Sequence, residues 1–129
     1  MDSRGVGQKG EDLAEDYLRR EKNFRILARN WREGPREIDL IAWDGPVMVV
    51  VEVKTRRRET PVPPRVAVNR AKKAALRKAV YAFLRTLRQR TRAVRFDVVE
   101  VLLEPLEGTD PVVRHYENIS LFSVHFRPS

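Results

Sequence analysis

The stretch from residue 36 to residue 54, REIDLIAWDGPVMVVVEVK, constrains the fold of this chain more than any other segment. It contains two apolar runs, residues 40–43 and 47–51, separated by Asp44, Gly45 and Pro46. β-branched, aliphatic and aromatic residues around such a break predict a β-hairpin. Three charged residues, Asp39, Glu52 and Lys54, stand at the outer ends of the two runs.

The geometry of the hairpin places these charges opposite one another. A loop of two or four residues centred on Gly45 and Pro46 gives the pairs Met48 with Trp43, Val50 with Ile41, Glu52 with Asp39, and Lys54 with Glu37. A loop of three residues would break these pairs. Because side chains alternate across a strand, the four charged residues share one face with Ile41, Trp43, Met48 and Val50. The other face receives Ile38, Leu40, Val49, Val51 and Val53.

An Asp39 side chain opposite Glu52 needs compensating positive charge. Opposed side chains have Cβ atoms about 4.5–5.5 Å apart, and like charges at that separation repel. A lysine supplies part of the compensation, and a hard divalent cation, which takes oxygen ligands, would supply more. The alternative is a solvated sheet face on which Lys54 and Glu37 form an ordinary ion pair. The apolar neighbours on the same face favour a covered face, where charged residues usually serve a function.

The order of several short blocks resembles a known family. Asp39 followed by Glu52, Val53 and Lys54 resembles the PD-(D/E)xK signature of restriction-endonuclease-like nucleases, which include archaeal-type Holliday junction resolvases. The chain is more similar to the YraN-like family, which is usually grouped with those nucleases. The blocks that carry this resemblance are Gly7, Gly10, Glu11, Ala14, Tyr17, Leu18, RNWR at 29–32, EIDLIA at 37–42, VEVKTR at 51–56, Val68, Lys72 and RFDVV at 95–99. The short signature is weak by itself, whereas the ordered set, spanning roughly residues 7–122, is specific. Arg36 departs from the usual glycine, and residues 61–64 replace a glycine-containing loop.

The resemblance implies a fold and a function. The fold is α/β, with a restriction-endonuclease-like core of a mixed four- to five-stranded sheet and a helix on each side. The function is that of a Mg²⁺-dependent endonuclease, with Mn²⁺ as the second candidate metal, acting on DNA that includes structured or branched DNA. The implied catalytic residues are Asp39, Glu52, Lys54 and Glu11, and the implied metal ligands are Asp39, Glu52 and Glu11. The rival interpretation is a nucleic-acid-binding module with the same fold and no turnover.

Composition limits the remaining possibilities. The 129 residues predict one domain, residues 1–129, with its own core. A net charge of +8 and a pI near 10.4 indicate an anionic partner, most often nucleic acid, with DNA expected and RNA as the alternative. The longest apolar run is too short to cross a membrane, and the first residues show no signal peptide, so we expect a cytoplasmic protein. The absence of cysteine excludes disulfides and cysteine-zinc sites. A homodimer is left open.

A basic segment follows the hairpin. No Asp or Glu occurs between Glu59 and Asp97. We expect a helix over residues 66–90 there, with an apolar stripe formed by Leu76, Val80, Phe83, Leu84 and Leu87. A charge run is usually a solvated face, but solvated helices normally mix signs, so we interpret this surface as one that binds nucleic acid. The predicted DNA-binding residues are Arg56, Arg57, Arg70, Lys72, Lys73 and Arg77. The resemblance also places Lys72 near the active site.

The other elements complete a predicted βαβ arrangement. We expect a helix over residues 10–22, with an apolar stripe of Leu13, Ala14, Tyr17 and Leu18. Strands are expected over residues 24–30 and 95–103, with a short edge strand over 112–117. Because the long helix joins them, the second hairpin strand and the strand at 95–103 should be parallel. Trp31 and Trp43 are expected in or beside the core, and His115 and His125 lack the spacing of metal ligands.

Overall fold

The computed structural model describes residues 3–59, 70–89 and 91–120. Within these ranges the elements are α1 (Ser3–Lys22), β1 (Arg25–Glu33), β2 (Arg36–Asp44), β3 (Val47–Arg56), α2 (Arg70–Leu84), β4 (Ala93–Leu102) and β5 (Val112–Tyr116). The strands form one sheet in the order β1-β2-β3-β4-β5. β3 and β4 are parallel, and the other neighbours are antiparallel. The predicted α/β core is confirmed, as is the parallel pairing across α2.

The two helices pack on opposite faces of the sheet. Leu76, Val80 and Phe83 of α2 are buried against the side chains of Ile41, Met48, Val50, Phe96 and Val98. Ala14 and Leu18 of α1 are buried with Leu40, Val49, Val51, Val99 and Val101. Successive residues of β3 therefore point alternately into the layer beneath α2 and the layer beneath α1. Because both faces are covered, β3 is a continuous apolar run until Glu52.

The hairpin forms with the predicted loop. Asp44 pairs with Val47 across Gly45 and Pro46, and the predicted pairs of Trp43 with Met48 and Ile41 with Val50 are confirmed. Gly45 has a φ of 58°, a conformation that glycine adopts without a steric cost. The register between β2 and β3 runs as far as Leu40 with Val51. The prediction of further backbone pairs, Glu52 with Asp39 and Lys54 with Glu37, was wrong because the two strands separate at Asp39.

The separation also interrupts the predicted alternation of faces. Strict alternation places Ile38 with Leu40, but Ile38 packs in the layer beneath α2. Beyond Asp39, β2 continues to pair with β1, where Arg32 lies opposite Glu37. Arg32 Nη2 is 3.2 Å from Glu37 Oε2, so Glu37 forms its ion pair with β1 rather than with Lys54.

Helix α1 begins earlier than the predicted residue 10, and it contains three glycines, Gly5, Gly7 and Gly10. Glycine is required at residue 10 by packing, since a Cβ built there would overlap the side chain of Thr55. The helix therefore crosses β3 at a distance that excludes a side chain. Val6 contributes an additional apolar contact before the predicted start. Neither helix in the described ranges is long and apolar enough to cross a membrane.

Helix α2 ends at Leu84, several residues before the predicted end at residue 90. Thr86 N and Leu87 N donate to carbonyls three residues back, and Thr86 Oγ1 also donates to Phe83 O at 2.7 Å. A hydroxyl that binds a nearby carbonyl competes with the helical pattern, which explains the early end. Arg85, Arg88 and Arg92 consequently follow the helix instead of extending its basic surface. The predicted start at residue 66 lies outside the described residues.

Candidate active site

The candidate site lies where β2 separates from β3, beneath the first turns of α2. Glu52 and Lys54 belong to β3, Asp39 to β2 and Lys72 to α2. A cavity of about 220 Å³ opens there, and the residues that line it are Pro35, Arg36, Glu37, Asp39, Glu52, Lys72, Ala75 and Leu76. Three elements therefore bring three acids, an arginine and a lysine into one cavity, with Asp39, Glu52 and Lys72 contributed by β2, β3 and α2.

The carboxylate of Asp39 binds the backbone of β3 at the point of separation. Asp39 Oδ2 accepts a hydrogen bond from Val53 N at 2.8 Å. Burial, followed by the charge of Glu52, raises the pKa of Asp39 from 3.8 to about 7, and the hydrogen bond from Val53 acts against this rise. The surroundings of Asp39 therefore stabilise its ionised form less well than water does.

Glu52 is bound by two lysines through the same oxygen. Lys72 Nζ lies 2.6 Å from Glu52 Oε1, and Lys54 Nζ lies 3.3 Å from it. Glu52 is only 8% exposed, so these ion pairs form where charges interact more strongly than in water. Asp39 and Glu52 therefore differ, because Glu52 is neutralised by ammonium groups and Asp39 is bound by a backbone amide.

The two lysines of the site have pKa values displaced in opposite directions. Burial, followed by the contact with Lys72, lowers the pKa of Lys54 against the charge of Glu52. Burial also acts to lower the pKa of Lys72, but the hydrogen bonds with Glu52 and Lys54 outweigh it and raise the pKa. Lys72 therefore keeps its proton more firmly. Lys54 is the lysine better suited to take part in a proton transfer.

Glu11, expected as a third carboxylate, lies in an adjoining cavity. Glu11 Oε2 is 3.4 Å from Arg29 Nε, and Arg29 also binds Asp12 at 2.6 Å. This second cavity, of about 520 Å³, is lined by Gly7, Gln8, Glu11, Arg29, Asn30, Arg32 and Glu37. The charge of Glu11 does contribute to the raised pKa of Asp39, so the two acids are within electrostatic reach. The role of Glu11 as a metal ligand stays a prediction.

A hard divalent cation fits the acids that share the smaller cavity. Burial, followed by the charge of Glu52, raises the pKa of Asp39, so a cation bound beside these two carboxylates would stabilise its ionised form. Mg²⁺ is usually held by one or two carboxylates, with water and substrate phosphate completing its octahedral shell. In the part of the chain that the structure describes, no three His, Cys, Asp or Glu side chains group closely enough to hold a metal. The donor set is therefore two carboxylates, which suits a metal shared with a substrate.

The basic residues expected to contact DNA lie in two places. Arg70, Lys72, Lys73 and Arg77 are on α2, and Arg56 and Arg57 lie at or just after the end of β3. Arg57 and its neighbour Arg58 form ion pairs with Glu104 at 3.7 and 3.1 Å. Arg56 Nε is 3.8 Å from the buried carboxylate of Glu100. Acids distant in sequence therefore partly neutralise the group after β3, and α2 carries the more clearly cationic surface.

A second cluster of buried charges, beside α1, was missed by sequence reasoning. Asp97 is fully buried and receives hydrogen bonds from Arg95 Nε at 2.9 Å, His115 Nε2 at 2.7 Å and Asn118 N at 2.9 Å. Burial alone would raise the pKa of Asp97, but these hydrogen bonds together outweigh burial and lower it. These hydrogen bonds join β4 to His115 of β5 and to Asn118, which follows β5. They give the RFDVV block of residues 95–99 a structural explanation. The only sequence signal was the spacing of Arg95 and Asp97 on one face of a strand.

The chain is similar in sequence to a family of proteins from several bacteria. The model of a family described as "Uncharacterised protein family UPF0102" matches residues 10–101, a range that includes every member of the candidate site. A UPF0102 protein of Geobacter metallireducens is 38% identical over 118 residues, which cover 92% of this chain and 93% of that protein. One from Solibacter usitatus is 44% identical over 100 residues, covering 76% and 75%. One from Symbiobacterium thermophilum is 46% identical over 99 residues, covering 77% and 83%.

Proposed function

This chain belongs to the uncharacterised protein family UPF0102, and we propose that it is a metal-dependent endonuclease acting on DNA, including structured or branched DNA. The observation that supports this proposal most directly is the meeting of Asp39, Glu52 and Lys54 where β2 and β3 separate. The similarity of these residues to the PD-(D/E)xK signature gives the arrangement a reaction class. The net charge of +8 favours a nucleic acid as the substrate.

In the proposed mechanism Asp39 and Glu52 would hold Mg²⁺ or Mn²⁺ through their carboxylate oxygens. Bound there, the ion would supply a water of lowered pKa and neutralise charge on the scissile phosphate. Val53 N fixes the orientation of Asp39. Lys54, beside Glu52, would orient the attacking water, and burial together with the neighbouring Lys72 lowers the pKa of its ammonium.

The basic residues of α2 provide the surface for the phosphate backbone. Lys72 lines the cavity itself, and Arg70, Lys73 and Arg77 lie on the same helix. Phosphate contacts of this kind position a nucleic acid without reading its sequence. The proposal therefore expects weak sequence preference and a preference set by the shape of the DNA.

A divalent-metal titration followed by a cleavage screen tests the function. Duplex, flap, single-stranded and four-way-junction DNA are each incubated with Mg²⁺ and with Mn²⁺, and products are resolved on denaturing gels. Cleavage of at least one substrate should require the metal and should be lost in Asp39→Asn, Glu52→Gln and Lys54→Ala. Glu107→Gln, which removes an exposed acid that does not line the cavity, should cleave like the unaltered protein.

The same variants separate the enzyme from a binding module with the same fold. Lys54→Ala should retain DNA affinity within a few fold, because one lysine is a small part of the cationic surface. Cleavage that persists in both Lys54→Ala and Asp39→Asn would come from a contaminating nuclease. DNA binding without metal-dependent cleavage of any substrate would contradict the proposal and favour the binding module.

A further inference from the structure

The closest ion pair of the candidate site joins α2 to the acid that should bind the metal. Lys72 Nζ is 2.6 Å from Glu52 Oε1, whereas Lys54 Nζ is 3.3 Å from the same atom. Both Lys72 and Glu52 line the cavity of about 220 Å³. The ammonium of Lys72 therefore occupies part of the space in which a cation bound to Glu52 would lie.

Two positive charges cannot share that space without a cost. A divalent ion held by Asp39 and Glu52 would lie within a few ångström of the Lys72 ammonium, in a site where Glu52 is 8% exposed. Repulsion at such distances is several-fold stronger than in bulk water. The Lys72 side chain is 37% exposed, so it can move toward solvent when the carboxylate takes another partner.

We propose that Lys72 is a competing counter-ion, which neutralises Glu52 when no metal is bound and must release it before the carboxylate can bind a divalent cation. This inference rests on the proposed function, because it assumes a metal at Asp39 and Glu52. Replacing a metal ligand, or a residue that only supports the site, would weaken metal binding. Replacing Lys72 should have the opposite effect on metal affinity. Removing the ammonium should strengthen metal binding.

Calorimetric titration of the DNA-free protein with Mg²⁺, and separately with Mn²⁺, tests the inference. Lys72→Gln keeps a polar side chain of similar length and removes the charge. We expect the variant to bind metal about tenfold tighter than the unaltered protein, or more, because it lacks the repulsion of a nearby ammonium. Lys78→Gln is the matched control, since it removes the same charge from an exposed position on the same helix and should leave the affinity within about twofold.

Thermal unfolding provides a second measurement on the same proteins. Without metal, Lys72→Gln should melt below the unaltered protein because Glu52 loses its closest partner. Saturating Mg²⁺ should raise the melting temperature of Lys72→Gln by more than it raises that of the unaltered protein, since a ligand stabilises in proportion to the logarithm of its affinity.

The possible outcomes distinguish this inference from the proposed function. Tighter binding in Lys72→Gln, with Lys78→Gln unchanged, supports the competition. Metal binding in the unaltered protein that is equal or weaker in Lys72→Gln overturns the competition and leaves the proposed function standing. Equal gains in both glutamine variants would also overturn it, because the effect would then be general charge. A complete absence of metal binding in all three proteins would refute both proposals.

Discussion

Replacing Asp39 with asparagine should make this protein more stable at alkaline pH. Asparagine has nearly the same shape as aspartate and can still accept the hydrogen bond from Val53 N. It has no charge at any pH, so it removes the unfavourable ionisation that burial and Glu52 impose on Asp39. The candidate site would thereby lose a carboxylate, and the folded protein would become more stable.

The magnitude follows from the raised pKa of Asp39, from 3.8 to about 7. Because the folded pKa is the higher one, the stability associated with neutral Asp39 is fully present below pH 3.8 and is lost as the pH rises through 7. The ionised side chain then costs at most about 4 kcal/mol at pH 8 and about 2 kcal/mol at pH 5. Local relaxation and water penetration reduce such penalties, so we expect Asp39→Asn to gain about 1–3 kcal/mol at pH 8 and less at pH 5.

Urea unfolding in buffer containing a metal chelator measures this gain. Trp43 is buried and Trp31 packs edge-on against Phe83 at 5.3 Å, so tryptophan fluorescence reports the loss of the core. With a denaturant dependence of about 1.5 kcal/mol per molar urea, the midpoint at pH 8 should rise by about 0.7–2 M. An Asp39→Asn variant that is equally or less stable than the unaltered protein at pH 8 would refute the reasoning.

Three further predictions concern other parts of the chain. Asp97→Asn should destabilise the protein at neutral pH, since hydrogen bonds lower the pKa of Asp97 and stabilise its charge, and the loss should diminish as acid protonates it. Gly10→Ala should cost about 1–3 kcal/mol through its collision with Thr55, whereas Gly7→Ala, with open space around it, should gain about 0.5–1 kcal/mol in the same urea assay. DNA affinity should fall with log salt by about 0.9 per phosphate contacted, a slope that should flatten by roughly one to three units when glutamine replaces Arg70, Lys73 and Arg77. An unchanged slope would place the DNA-binding surface elsewhere.

The parts of the fold that were predictable from the sequence are those determined by local periodicity. The alternation around Gly45 and Pro46 determined the loop and the inner pairs of the hairpin. Apolar spacing identified both helices, but their ends depended on features that periodicity does not contain. Glycine is needed at position 10 of α1 because Thr55 of β3 packs against it. Helix α2 ends at Leu84 although the apolar stripe continues to Leu87.

The candidate site was predictable in its members more than in its contacts. Asp39 and Glu52 were expected to meet through backbone pairing, but the strands separate there and the carboxylate of Asp39 binds Val53 N. The separation of β2 from β3 opens the cavity, and no pattern in the sequence predicts that separation. Glu11 shows the same limit, because its ion pair with Arg29 depends on how α1 crosses β1.

Two aspartates of this sheet, the fully buried Asp97 and the partly buried Asp39, indicate which cluster is structural and which is suited to binding. Asp97 lies among donors from Arg95, His115 and a backbone amide, and its pKa is lowered, so the folded protein favours its charge without any ligand. Asp39 has a raised pKa, so the folded protein disfavours its charge, although the side chain lines a cavity open to small ions. A group held in an unfavourable state beside accessible space is typical of a functional site, because the missing charge can come from a ligand. Metal should therefore abolish most of the stability difference between Asp39→Asn and the unaltered protein, and a difference that saturating Mg²⁺ leaves unchanged would show that the cation does not bind at Asp39.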